Sequence, residues 1–156
     1  MLRGEIEYST EKNSRDNRTR FGFQTLEVYQ LAKAIVVSTY RVTKSFPAEE
    51  RYALSQQMNR AAVSIPSNIA EGYSRASPKD KMHFMNMAYG SLMELTCQFE
   101  IAEELSYVSK EQLDEYSKEA RNLAVKISNF RRAIEQKQQE SNGETIGKHS
   151  EAVEKR

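Results

Sequence analysis

One cysteine, two histidines and no tryptophan leave this 156-residue chain poor in the side chains that most often build chemical sites. A lone cysteine excludes an internal disulfide framework. With no apolar leader in the first twenty residues, a reducing, cytoplasmic setting is the expectation. No uninterrupted apolar run approaches the ~20 residues that cross a bilayer, so membrane insertion is not expected. Excess charge of one sign is missing as well, because 23 Lys and Arg against 22 Asp and Glu leave a formal charge of +1. A nucleic-acid binder of the strongly basic kind is thereby excluded, and any such activity has to come from where the charges lie. There is no Gly-rich phosphate loop and no internal repeat.

What the chain does have is helical periodicity between two polar ends. Its length suits one domain with a substantial core. Residues 1–20 form a polar arm expected to be flexible. Residues 137–156, with Gly143 and Gly147 among alternating charges, read as a disordered polar tail; neither end buries enough apolar surface to offset the entropy of ordering. Residues 21–136 between them divide into four helices. The first spans Phe23 to Phe46 and stops at Pro47. The second spans Ala48 to Tyr73, with Pro66 inside it removing one backbone donor and predicting a bend or local break. Ser77, Pro78 and Asp80 supply an N-cap, a first-turn proline and a capping acid for the third, which runs to Leu105, while Gly72 suits a helix end. Ser109 and Gln112 form a capping box for the fourth, which runs to Gln136.

The core faces follow from spacing. In the fourth helix Leu113, Tyr116, Ala120, Leu123, Ile127, Phe130 and Ile134 advance by threes and fours, and Met82, Met85, Leu92, Leu95, Phe99, Ala102 and Leu105 do the same in the third. Short turns make neighbours antiparallel. The predicted fold is all-α, an up-down-up-down four-helix bundle with helices of roughly 35 Å.

The segment S-I-P-S-N-I-A-E-G at 64–72, followed by A-Y-G-S-L-M-E-L at 88–95, resembles the four-helix-bundle family whose founding members are encoded in intervening sequences of bacterial 23S ribosomal RNA genes. The accessory protein of diversity-generating retroelements, which assists a reverse transcriptase, is similar. The resemblance covers about Phe21 to Phe130 and implies a ring-shaped homopentamer whose partner is RNA or a reverse transcriptase.

The first helix carries two apolar stripes. Val28, Leu31, Ile35, Val42 and Phe46 lie on one side, and Leu26, Tyr29, Val36, Val37 and Tyr40 lie roughly 150° away at 100° per residue. One stripe faces the core. The other either widens the buried face or, as the pentamer implies, makes an oligomer interface through Leu26, Tyr29, Val36 and Tyr40.

Chemistry finds little support. Asp80 and His83 alone approach the Glu-x-x-His ligand pattern of di-iron bundles, His149 lies in the polar tail, and no metal, cofactor or small-molecule substrate is expected. Cys97 reads as a core or near-core residue and the methionines as core filler, so the protein is not expected to be an enzyme. Asn68, Glu71, Ser91 and Glu94 are the polar members of the motif, Gly72 and Gly90 its glycines. These four side chains form either a buried hydrogen-bond network or a ligand contact, and Gly90 reads as a site of close helix packing. In a bundle of this topology the end near Ser74 collects Arg15, Arg18, Arg20, Arg75, Lys79, Lys81, Arg131, Arg132 and Lys137, of which Arg75, Lys79, Lys81, Arg131 and Arg132 are the candidate phosphate contacts, while the opposite end is acidic. Ordinary helix-end charges are the alternative reading of this pole. No RNA-recognition signature with interleaved aromatics is evident, so base stacking is not expected.

Overall fold

The computed structural model describes the backbone of residues 20–154 and the side chains of residues 20–140. A 3-10 turn at Gly22–Thr25 enters α1 (Glu27–Thr43), a second at Ala48–Tyr52 enters α2 (Leu54–Ser74), and α3 (Pro78–Glu104) and α4 (Lys110–Glu154) complete the chain order. Each helix packs on its sequence neighbour and α1 closes against α4, which is the expected up-down-up-down bundle. The N-terminal arm, apart from Arg20, lies outside the described residues.

The helix starts are held by side chains. Ser77 Oγ accepts from Asp80 N at 3.4 Å. Ser109 and Gln112 form the reciprocal box, with Gln112 N donating to Ser109 Oγ at 3.2 Å and Ser109 N to Gln112 Oε1 at 2.9 Å. The start of α2 uses a device that local sequence does not announce: Glu50 Oε2 accepts from Leu54 N at 3.1 Å, and Glu50 Oε1 accepts from the Tyr107 hydroxyl at 3.2 Å. With the Phe46 and Tyr107 rings 5.3 Å apart, this bond ties the α1–α2 turn to the α3–α4 turn at one end of the bundle.

The predicted stripes of α3 and α4 supply the core. Met85, Leu92, Leu95, Phe99, Ala102, Tyr116, Ala120, Leu123, Ile127 and Ile134 are buried, and they meet Val28 and Ile35 of α1 and Met58, Ala62, Ile65 and Ile69 of α2. Tyr116 stacks on Phe99 with ring centroids 3.8 Å apart, and its hydroxyl bonds Thr96 Oγ1 at 3.0 Å. Burial holds the Tyr116 phenol well above its ordinary 10.0, because the phenolate would lose its hydration.

Four expectations are corrected. Of the bend or break predicted at Pro66, the break does not occur: the second helix runs continuously across the buried proline, which costs one backbone bond that its packed ring helps to offset. Gly72 ends no helix, since α2 continues to Ser74. A Cβ there would stand 2.7 Å from Met85 Cε and 2.9 Å from Phe84 Cβ, so the missing side chain permits close approach of α2 and α3. Leu105, expected in the core of the third helix, is exposed at the last turn of α3. Finally, α4 continues to Glu154, past the start of the predicted tail at 137. Residues 135–140 are all exposed, so over that stretch it is the helix-forming Glu, Gln and Lys side chains rather than core packing that favour the helix.

Two outcomes test this packing. Gly72→Ala lowers stability by about 1–3 kcal/mol in chemical denaturation despite its better helix propensity, because Phe84 Cβ has nowhere to retreat. Stability also falls as pH rises above 10, where tyrosines of the unfolded chain ionise and Tyr116 of the folded one does not; below 10 that contribution is intact, and Tyr116→Phe flattens the alkaline decline.

Candidate nucleic-acid interface

The end opposite the Glu50–Tyr107 bond is formed by the N-terminus of α1, the α2–α3 turn and the later turns of α4. Its basic residues differ in how free they are. Arg75 pairs with Glu71 one helical turn away and lies over the Phe84 ring at 4.8 Å; Arg131 lies over the Tyr89 ring at 5.3 Å. Both guanidinium groups are therefore partly committed within the protomer. Lys79, Lys81, Arg132 and Lys137 make no ion pair with another described residue. Lys81 is half-buried and the other three are exposed. The topology thus gathers unpaired cations from the first turns of α3 and from α4 at one end, where their fields add. Of these, Lys137 is expected at this end from chain order but is not among the five predicted phosphate contacts.

The motif residues separate into a link and a surface. Ser64 Oγ and Ser91 Oγ lie 2.8 Å apart and join α2 to α3, while Asn68 Nδ2 donates to Ser64 O at 2.8 Å and to Ser64 Oγ at 3.0 Å. Ser91 therefore links the helix pair through Ser64, and Asn68 supports that link from within α2. Glu71 and Glu94 do not: both are exposed, Glu71 against Arg75 and Glu94 accepting from Gln98 Nε2 at 3.2 Å. They stand one position off the α2–α3 seam and turn to solvent.

Among the described residues two apolar surfaces are left uncovered. The second stripe of α1 meets α2 in a groove of two adjoining hollows, about 320 and 450 Å³, that share Val36, Val37 and Val63. Val37 is 49% and Val63 41% exposed. Tyr29 and Tyr40 each line one of the hollows, whereas Leu26 packs against the core. Lys33, Arg41 and Lys44 give the groove a basic rim. The other surface is the outer face of α3, where Met87, Gly90, Glu94, Cys97 and Ile101 advance by three, four, three and four residues and are all exposed. Cys97 is thus on the surface, not in or near the core, and so are Met87 and Met93; α3 carries apolar residues on both sides, which residue type alone cannot sort. A Cβ on Gly90 would meet nothing within 4 Å, so Gly90 serves no close packing inside the protomer. Among the described residues no group of three or more His, Cys, Asp or Glu comes together. No helix there is long and apolar enough to cross a membrane.

The chain was compared with known proteins on sequence and on structure. A family model described as 23S rRNA-intervening sequence protein matches residues 24–129. The solved structure of a protein of unknown function from the S23 ribosomal protein family of Bacteroides thetaiotaomicron superposes with a TM-score of 0.62 at 19% identity, covering 67% of this chain and 97% of that one. At that identity the likeness speaks for the fold. No curated protein matches the chain.

The motif assignments separate in denaturation. Glu71→Ala changes stability by no more than about 0.5 kcal/mol, as for an exposed ion pair. Asn68→Ala costs about 0.5–1.5 kcal/mol through its two lost hydrogen bonds. Gly90→Ala moves the other way and stabilises by about 0.5–1 kcal/mol, since the added methyl group meets no neighbour and restrains the unfolded chain.

Proposed function

The chain belongs to the 23S rRNA-intervening sequence protein family, and on that premise we propose that it is a non-enzymatic homo-oligomeric accessory protein that holds RNA, or an RNA–protein particle, against its basic end. The observation that carries this reading is the gathering of Lys79, Lys81, Arg132 and Lys137 at one end without ion-pair partners among the described residues. Such a set engages phosphates by charge and fixes position more than sequence. Arg75 and Arg131 add to the field while held by their aromatic neighbours.

Oligomerisation is supported by the two uncovered apolar surfaces. The α1–α2 groove has its basic rim, and the outer face of α3 carries Glu94, Glu100 and Glu104 among Met87, Met93, Cys97 and Ile101. Surfaces of opposite charge and matching apolar character on different sides of one protomer suit a head-to-tail contact, and such contacts close into rings. The open space over Gly90 would let a partner helix approach the α3 backbone. A pentamer is the ring the resemblance implies; in it, protomers running roughly parallel would place five basic ends on one face. The reverse-transcriptase accessory role of similar proteins would use the same face. A second reading, a structural oligomer that binds protein alone, is favoured by the near-neutral total charge and keeps the same apolar contacts.

Light scattering of the wild type is expected to give about five times the 18.0 kDa protomer mass. Val37→Asp with Gly90→Trp is expected to yield folded monomers. A monodisperse wild-type monomer at micromolar concentration overturns the assembly. In low salt the wild type binds a structured RNA fragment, and log affinity falls with log salt by about 0.7–0.9 for each neutralised phosphate. Lys79→Glu, Lys81→Glu and Arg132→Glu together abolish that binding and leave the oligomer intact; undiminished binding by the triple variant would sink the basic-end reading.

A further inference from the structure

The basic end contains a cavity that the charges surround and that phosphate contacts alone do not use. It has a volume of about 300 Å³ and lies where the α2–α3 turn arches over α4. Tyr73, Pro78, Phe130 and Ile134 form its apolar lining. Its two charged lining residues are both cations, Lys81 from α3 and Lys137 from α4. Glu71, Asp80 and Glu135 share this end of the bundle, yet among the described residues no carboxylate lines the cavity.

The cavity is a consequence of the core stripe of α4. Phe130, Ile134 and Lys137 continue the spacing that buries Leu123 and Ile127, but at this height the stripe is covered by a turn instead of a full helix. Phe130 is consequently only half-buried. Tyr73 closes the opposite wall and is set in place from outside: its phenol lies against Gly22, and a Cβ on Gly22 would collide with the ring. An aromatic residue at the last turn of α2 thus stands, 40% exposed, beside two lysines and at the same end as Lys79 and Arg132.

We infer that this cavity receives one unpaired nucleotide of an RNA strand, its base between Tyr73 and Phe130 and its phosphates toward Lys81 and Lys137. The inference rests on the RNA reading of the basic end and adds base stacking to it. Three physical features select this ligand. The size falls at the small end of ligand pockets, ~300–1,000 Å³, and suits a single nucleotide. Aromatic walls accept the π-face of any base without reading its edges, so the contact is sequence-tolerant. The all-cationic rim complements a phosphate on either side of the base and disfavours a cationic ligand. Paired RNA keeps its bases stacked and out of reach, so loops, bulges and ends are the elements that enter.

The test measures affinity, by fluorescence anisotropy at low salt, for two strands of equal length: an oligoadenylate and an abasic oligoribose phosphate with the same charge. The wild-type protein is expected to bind the base-bearing strand roughly ten-fold or more tightly. Ala133→Trp, which fills the cavity from an exposed lining position, and Tyr73→Ala, which removes one wall, are each expected to equalise the two strands while leaving the affinity for the abasic one unchanged. Equal binding of both strands by the wild type overturns the nucleotide site and leaves the electrostatic reading standing. Binding of neither strand overturns both. A base preference that survives Ala133→Trp and Tyr73→Ala places the stacking elsewhere and overturns this site.

Discussion

The close approach of α2 and α3 at Gly72 is the contact on which the basic end of this molecule depends. Without a Cβ at that position, Phe84 and Met85 of α3 come against the backbone of α2. That registration sets the positions of residues further along both helices. Arg75, three residues on, falls over the Phe84 ring, and Tyr73, one residue on, stands beside the turn that leads to Lys79 and Lys81. A larger residue at 72 would separate the helices and carry the turn away from α4. Further along the same pair, Ser64, Asn68 and Ser91 repeat the theme with hydrogen bonds, short side chains keeping the helices near each other.

Most of the fold is legible in the sequence because its signals are local and periodic. The stripe of α4 from Leu113 to Ile134 faces the core as its spacing requires, and Ser77 and Ser109 cap the helices they precede. The parts that cannot be read have physical reasons. Periodicity marks an apolar face but does not say whether a second one is covered, and α3 has apolar residues on both sides. Residue type therefore points Cys97, Met87 and Met93 inward, and they stand outward. Gly72 and Gly90 differ only in what lies across from them, which no local pattern encodes. Proximity in sequence groups Glu71 with Asn68, yet Glu71 stands about 60° further round the helix, enough to take it off the α2–α3 seam to solvent and Arg75.

The candidate site is legible to a different degree. Up-down topology is enough to bring the charges of the α2–α3 turn and of α4 to one end, so order along the chain alone identifies Lys79, Lys81 and Arg132. The cavity among them is not visible in that way. Its aromatic residues, Tyr73 and Phe130, are far apart in sequence and belong to helices that do not pack directly on each other, so no interleaved motif records them. Nor can charge counting separate Arg75 and Arg131, held over aromatic rings, from the lysines that remain unpaired.

The uncovered surfaces divide by direction. The groove between α1 and α2 and the outer face of α3 run along the sides of the bundle, whereas the cationic cavity opens at its end. A helix lying along a side buries apolar length without crossing the end. The proposed association through the sides would therefore leave Lys81, Lys137 and the cavity between them accessible, and each added protomer would contribute another copy to the same rim. For an anionic polymer this arrangement changes the physics of binding. A contact too weak to hold at one protomer becomes one of several in a tethered series, in which the second and later contacts form at high effective concentration. A chain whose total charge is only +1 could in this way present a strongly cationic face, because the proposed assembly would concentrate one end while the acidic end, held together by Glu50 and Tyr107, would be turned to the far side.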